Sequence, residues 1–134
     1  MKHIELINSV SQTVASGGKL TLGNVNIKYC NGAFSYNGVD TLTLVHPGTY
    51  QLLVKIDLTG TVAGQLVSYA ISHDGLVSTI VNASDVVAAT TDITTLVIPK
   101  MVKICNSPIE ISIVNNGTDS TIYTNLIIDI VKVA

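Results

Sequence analysis

The sequence contains no arginine and no tryptophan, only one phenylalanine, Phe34, and charged residues at 12%. A soluble domain usually carries about twice that share of charge. Each gap removes a class of function. Nucleic-acid binding needs clustered Lys and Arg to displace counterions, with Arg forks reading phosphate or guanine. Here the basic residues are seven lysines scattered from Lys2 to Lys132, and the net charge is −2. That class is set aside. No run approaches the roughly 20 apolar residues that cross a bilayer, so no membrane partner is expected. The opening Met1-Lys2-His3-Ile4-Glu5 turns polar at once and lacks the apolar core of a signal peptide. Synthesis in a cytoplasm follows as the expectation. The two cysteines, Cys30 and Cys105, lie far apart in sequence. Without an export signal they are expected to be reduced, buried thiols rather than a disulfide.

Catalytic sets are also missing. His3, His46 and His73 are dispersed and show no ligand spacing such as His-x-x-x-His. His73-Asp74 could place an imidazole beside a carboxylate, but an Asp-Gly turn already accounts for Asp74. Neither cysteine has a flanking base to activate it. Gly17-Gly18-Lys19-Leu20 reads as a hairpin turn, not a phosphate loop. The sequence therefore assigns no catalytic, cofactor-binding or metal-binding residue, and the chain is expected not to be an enzyme. Calcium is the one ligand left open. Asp40, Asp74, Asp85, Asp92 and Asp119 lie near loops, where a hard cation would find oxygens. They do not form an Asp-x-Asp-x-Asp loop, so solvated turn acids are the simpler reading. Among Tyr29, Tyr36, Tyr50, Tyr69 and Tyr123 there could be a sugar-stacking platform, although packing is the commoner use of a strand tyrosine.

What the sequence does have is alternation. Tyr50, Leu52, Val54, Ile56 and Leu58 interleave with Gln51, Leu53, Lys55, Asp57 and Thr59, as in a half-buried strand. Ile109, Ile111 and Ile113 repeat the pattern, and shorter stretches occur at 19–22, 25–29, 41–45 and 65–72. Helical spacing is nowhere sustained, and residues 83–89 read as loop or strand edge. Asn31-Gly32, Asn37-Gly38, Asp74-Gly75 and Asn116-Gly117 fit tight turns between the runs. Nothing divides the chain, so residues 1–134 are read as one antiparallel sandwich domain. Two runs, 95–104 and 126–133, are apolar at both parities. A strand with one wet face should not look like this. A neighbouring subunit is the simplest cover for the second face. The proposed contact is Leu96, Ile98, Met101, Val102, Tyr123, Leu126, Ile128 and Ile130.

The segment Leu42-Thr43-Leu44-Val45-His46-Pro47-Gly48-Thr49-Tyr50-Gln51-Leu52-Leu53-Val54 resembles the signature of the tumour-necrosis-factor-like jelly rolls, which include the globular heads of complement's first component. In that signature a strand ends in an apolar residue, a Pro-Gly turn follows, and an aromatic opens a long strand. Pro47, Gly48 and Tyr50 match it. The run Thr124-Asn125-Leu126-Ile127-Ile128-Asp129-Ile130 resembles the final, axis-lining strand of those trimers, and Ile111-Ser112-Ile113-Val114-Asn115-Asn116-Gly117 the strand and turn before it. The whole arrangement is similar to small jelly-roll proteins of bacteriophage particles: head fibres, decoration proteins and fibre tips. The resemblance implies a jelly roll of about eight to ten strands and a non-enzymatic homotrimer. It also implies a location on a virion, with capsid proteins as partners. Host-surface glycans, bound by loops such as 72–77 and 114–120, are the alternative partner. The aromatic axis layers of the vertebrate members are replaced here by aliphatics, which puts a receptor-type function in doubt more than the fold. A cupin-type enzyme is disfavoured, because its inner strands need a His-rich metal set that these histidines do not supply.

Overall fold

Period-two sequence becomes extended backbone along nearly the whole chain. A computed structural model describes residues 2–29 and 31–134, with the side chains at 31 and 77–81 outside the description. Among the described residues there are eleven strands, a short 3-10 turn at Asn31–Ala33 and no α-helix. The strands are β1 (His3–Asn8), β2 (Gln12–Val14), β3 (Asn24–Tyr29), β4 (Phe34–Tyr36), β5 (Leu42–Leu44), β6 (Gly48–Gly60), β7 (Gln65–His73), β8 (Leu76–Val87), β9 (Thr94–Ile104), β10 (Ile109–Asn115) and β11 (Thr121–Lys132). They build two antiparallel sheets. One runs β3-β1-β11-β6-β9, with β2 also paired to β11; the other runs β4-β5-β10-β7-β8. The chain passes repeatedly from one sheet to the other, as a jelly roll requires. The count exceeds the expected number because β2 and β4, three residues each, are too short to show a period.

The two inner faces make the core. Tyr50, Leu52, Val54, Ile56 and Leu58 of β6 are fully buried, and they face Val67, Tyr69 and Ile71 of β7 and Ile111 and Ile113 of β10. Each such aliphatic contributes about 1.5–3 kcal/mol through burial. Phe34 and Tyr50 meet edge to face across the layers, with ring centroids 5.9 Å apart at 74°. Residues 19–22 alternate as expected but form only an isolated bridge, Lys19 to Val114, with Leu20 and Leu22 dropped into the core.

Turn chemistry is mostly where the dipeptides placed it. Asp74-Gly75 closes the β7–β8 hairpin with φ 52° at Asp74, whose Oδ1 accepts the Glu110 N–H at 2.8 Å. Between β4 and β5, Asn37 Oδ1 accepts the N–H groups of Val39, Asp40 and Thr41 at 2.8, 3.0 and 3.1 Å. Asn31-Gly32 differs: it enters the 3-10 turn rather than a hairpin. Residues 83–87 complete β8, an edge strand.

The Pro47-Gly48 turn leads into β6, and the Tyr50 hydroxyl donates back to the His46 carbonyl at 2.7 Å. Gly48 has φ 144°, and a Cβ there would stand 2.6 Å from the Ala134 oxygen. The expectation of two buried thiols needs correction. Cys105 is a free, exposed thiol, because it follows the last inward residue of β9, Ile104, in a loop that faces solvent. Cys30 lies outside the described residues.

Candidate interaction face

The two sheets present unlike surfaces to the outside. On β4-β5-β10-β7-β8 the positions turned away from the core are, in register, Ser35 with Thr43, Thr43 with Glu110, Ser112 with Ser72, Ser68 with Ser84, and Leu66 with Val86; Ser68, Ser72 and Ser112 are shielded by their neighbours, and Leu66 and Val86 are exposed. Small hydroxyl side chains dominate, and the Ser84 hydroxyl bonds Ser68 Oγ at 3.1 Å. On β3-β1-β11-β6-β9 the outward rows carry bulky apolar groups. Ile7, Ile127, Lys55 and Val97 form one row, and Val131, Gln51 and Met101 another. Leu53, Val97 and Met101 are 44%, 49% and 55% exposed. Pro99 lies in the same field, opposite Leu53, on an edge strand where its missing N–H costs no ladder bond.

This corrects the contact deduced from sequence. Leu96, Ile98, Val102, Tyr123, Leu126, Ile128 and Ile130 all point into the sandwich and are at most 3% exposed. They are core, so no neighbouring chain can reach them. Of the eight residues only Met101 faces outward. Both parities of β9 and β11 are apolar, and residue type alone does not say which parity the core takes. The outward set is Val97, Pro99 and Met101 on β9, with Ile122, Ile127 and Val131 on β11. A bulge at Thr124 adds to the difficulty, since it leaves Tyr123 and Leu126, three residues apart, both facing inward.

A polar cluster interrupts the apolar field. His3 Nε2 lies 3.0 Å from Asp129 Oδ1, and Glu5 stands directly across from Asp129 in the β1–β11 register. Asn26 Nδ2 donates to Glu5 Oε1 at 2.7 Å. The His3 ring stacks on Tyr29 with centroids 6.4 Å apart at 22°.

No family model matches this sequence, and no curated protein does. Solved structures do. The globular domain of zebrafish complement 1qA protein superposes with a TM-score of 0.74 at 9% identity, over 100% of this chain and 98% of that one. The Eiger TNF of S. frugiperda gives 0.75 at 11% identity, over 100% and 94%. Murine APRIL at pH 5.0 gives 0.70 at 11%, over 98% and 100%. The fold is the tumour-necrosis-factor-like jelly roll.

Within this tumour-necrosis-factor-like sandwich the remaining candidates stay apart. His46 accepts a hydrogen bond from Lys2 Nζ at its Nδ1, 2.8 Å away, and an ammonium can only donate, so the His46 proton sits on Nε2. His73 Nε2 is 3.7 Å from Asp74 Oδ2 on an exposed hairpin. Among the described residues no three His, Cys, Asp or Glu side chains converge as a metal set. The loop acids have local work instead. Asp40 is held below the usual carboxylate range mainly by the Asn37 amide, and Asp85 by the Thr94 hydroxyl and the Val86 N–H. Asp92 accepts the Ala89 N–H at 3.2 Å.

The tyrosines do not gather. Tyr50, Tyr69 and Tyr123 are core. Tyr36 donates to the Gly23 carbonyl at 2.7 Å, and Tyr29 covers His3. Sequence reasoning missed a buried polar knot around Tyr123. Its hydroxyl lies 2.9 Å from Asn8 Nδ2, 2.8 Å from Gln12 Oε1 and 3.0 Å from the Thr21 carbonyl. Burial, ahead of these bonds, pushes its phenol above the ordinary value. The only sequence signal was a polar Asn8 at an inward position of β1.

Proposed function

We propose that this chain is a non-enzymatic assembly protein that forms a homotrimer through the outer face of the β3-β1-β11-β6-β9 sheet. On the same reading it serves as a structural or adhesive part of a phage particle: a head fibre, capsid decoration or fibre tip. The observation that carries the assembly is the contrast between the two outer faces. One carries mainly serine and threonine, with a single exposed apolar pair, Leu66 and Val86, at one end, and the other exposes Leu53, Val97, Pro99 and Met101 across two adjoining strands. Contiguous apolar surface of that kind marks an association site. A ring of three covers it in every copy and closes without leaving an end to grow. The neighbours' fold and the Pro47-Gly48-Tyr50 turn support the same reading. The virion part draws on the low charge and the hydroxyl-rich surface, with capsid proteins as partners.

Light scattering on the purified chain should give three times its 14.1 kDa mass, and electron microscopy should show three-fold particles. A clean monomer at micromolar concentration would sink the assembly. The protein should also sediment with intact particles on a density gradient; finding it only in the soluble fraction would remove the virion part. No specific observation favours glycan recognition, since the loops at 72–77 and 114–120 carry no tyrosine. A saturable hit on a glycan array would bring that reading back.

A further inference from the structure

We infer that assembly through this face is linked to proton uptake at His3 and tightens as the pH falls from 8 to 6. The inference rests on the proposed trimer face and concerns its regulation. Glu5 and Asp129 are cross-strand neighbours on β1 and β11, with Ile27 beside Glu5 and Leu53 beside Asp129. Two carboxylates thus sit together in a largely apolar row that a second copy would cover. Removing water from an ionised carboxylate is costly unless a cation or donor replaces it.

Few other groups are placed to help. From β3 the facing groups are Tyr29, stacked on His3, and Asn26, which donates to Glu5. Lys28 is in register with inward-facing Ile4 and so belongs to the other side of the sheet. Just before β1, Lys2 is engaged with His46. On β11, Lys132 packs beside Gly48, away from Asp129. From β6, Lys55 stands opposite Ile127 rather than Asp129. Among the described residues, no lysine forms an ion pair with either acid.

His3, 3.0 Å from Asp129, is therefore the group that can supply positive charge in place. Histidine is the side chain whose charge ordinarily changes between about pH 5 and 8. With a neutral imidazole the cluster carries both negative charges into the interface. With an imidazolium it carries one net negative charge and a charge-assisted hydrogen bond. Covering the face therefore favours the protonated form, and by linkage protonation favours covering the face.

The test is a dilution series by light scattering at constant ionic strength, at pH 6, 7 and 8, on the full chain and on His3→Gln and Asp129→Asn. The dissociation midpoint concentration of the parent should fall about tenfold or more from pH 8 to pH 6. His3→Gln keeps a donor but cannot titrate, so its midpoint should stay flat. Asp129→Asn should assemble at pH 8 about as tightly as the parent at pH 6. A trimer whose midpoint is the same at all three pH values overturns this inference and leaves the assembly standing. So does an unchanged slope in a folded His3→Gln. A monomer throughout overturns the assembly itself, and the inference with it.

Discussion

Tyr69 has its ring in the core and its hydroxyl bonded across the sandwich to Thr121 Oγ1. Burial pushes its phenol up to about 12, with the Thr121 bond opposing and Tyr123 adding to the rise. An unfolded tyrosine ionises near 10. Between these values the unfolded chain binds fewer protons than the folded one. The contribution is therefore fully present below pH 10 and is lost as the pH climbs toward 12, by ~2–3 kcal/mol. Urea unfolding at pH 8 and pH 11.5 should show that loss, and Tyr69→Phe should show less of it. An equal alkaline loss in the variant would assign the effect to other groups. The glycines make a second test at this scale. Gly48→Val should cost about 2 kcal/mol or more in a urea melt, from strained φ and the approach to Ala134. Gly23→Ala should cost at least as much, since a Cβ there meets the Ile7 carbonyl oxygen and comes within 2.8 Å of Asn8 Cα. Gly48 was legible in the sequence because Pro47 precedes it and an aromatic strand follows. Gly23 was not, because its constraint comes from a distant strand and leaves no local mark.

Strands β9 and β11 show what alternation can and cannot settle. That both of their faces are apolar was readable from residues 95–104 and 126–133. Which face meets the core was not, since Ile127 and Ile128 are chemically alike and differ only in the side of the sheet they occupy. The two parities should separate cleanly on mutation. Ile128→Ala should destabilise the fold by about 2–5 kcal/mol, as a buried aliphatic truncated to alanine does. Leu53→Lys and Val97→Lys should leave the fold intact while shifting the light-scattering mass from trimer to monomer. If either lysine variant unfolds the chain and Ile128→Ala does not, the assignment of faces is reversed. The proposed contact surface was thus half legible: the strands were evident, the side chains on them were not. The His3–Asp129 cluster was hidden for a related reason, since its members are separated by nearly the whole chain and meet only through the β1–β11 register.

For the whole molecule, pairing between distant strands is the governing fact. β1 pairs with β11, β10 with β5, and β6 with both β9 and β11. Non-local β pairing makes folding slow, in the range of milliseconds to seconds for sandwiches of this size. Stopped-flow refolding should fall there, and a microsecond phase accounting for the whole signal would contradict the topology. If the trimer is obligate, the unfolding midpoint should also rise with protein concentration, because assembly stabilises by mass action. The jelly-roll class was readable from period and turns alone, whereas the biological setting was not, since many functions share one fold. The position of β11 has a consequence for how the protein is made. It lies between β1 and β6 in the middle of its sheet, yet residues 121–132 are made after every other described strand of the sandwich. Until β11 is made, β1 can pair only with β3, and β6 only with β9. The face that would join copies is built around β11, so it does not exist until residues 121–132 have been made. If copies join through that face, chains growing side by side on one messenger RNA could not do so before β11 is complete.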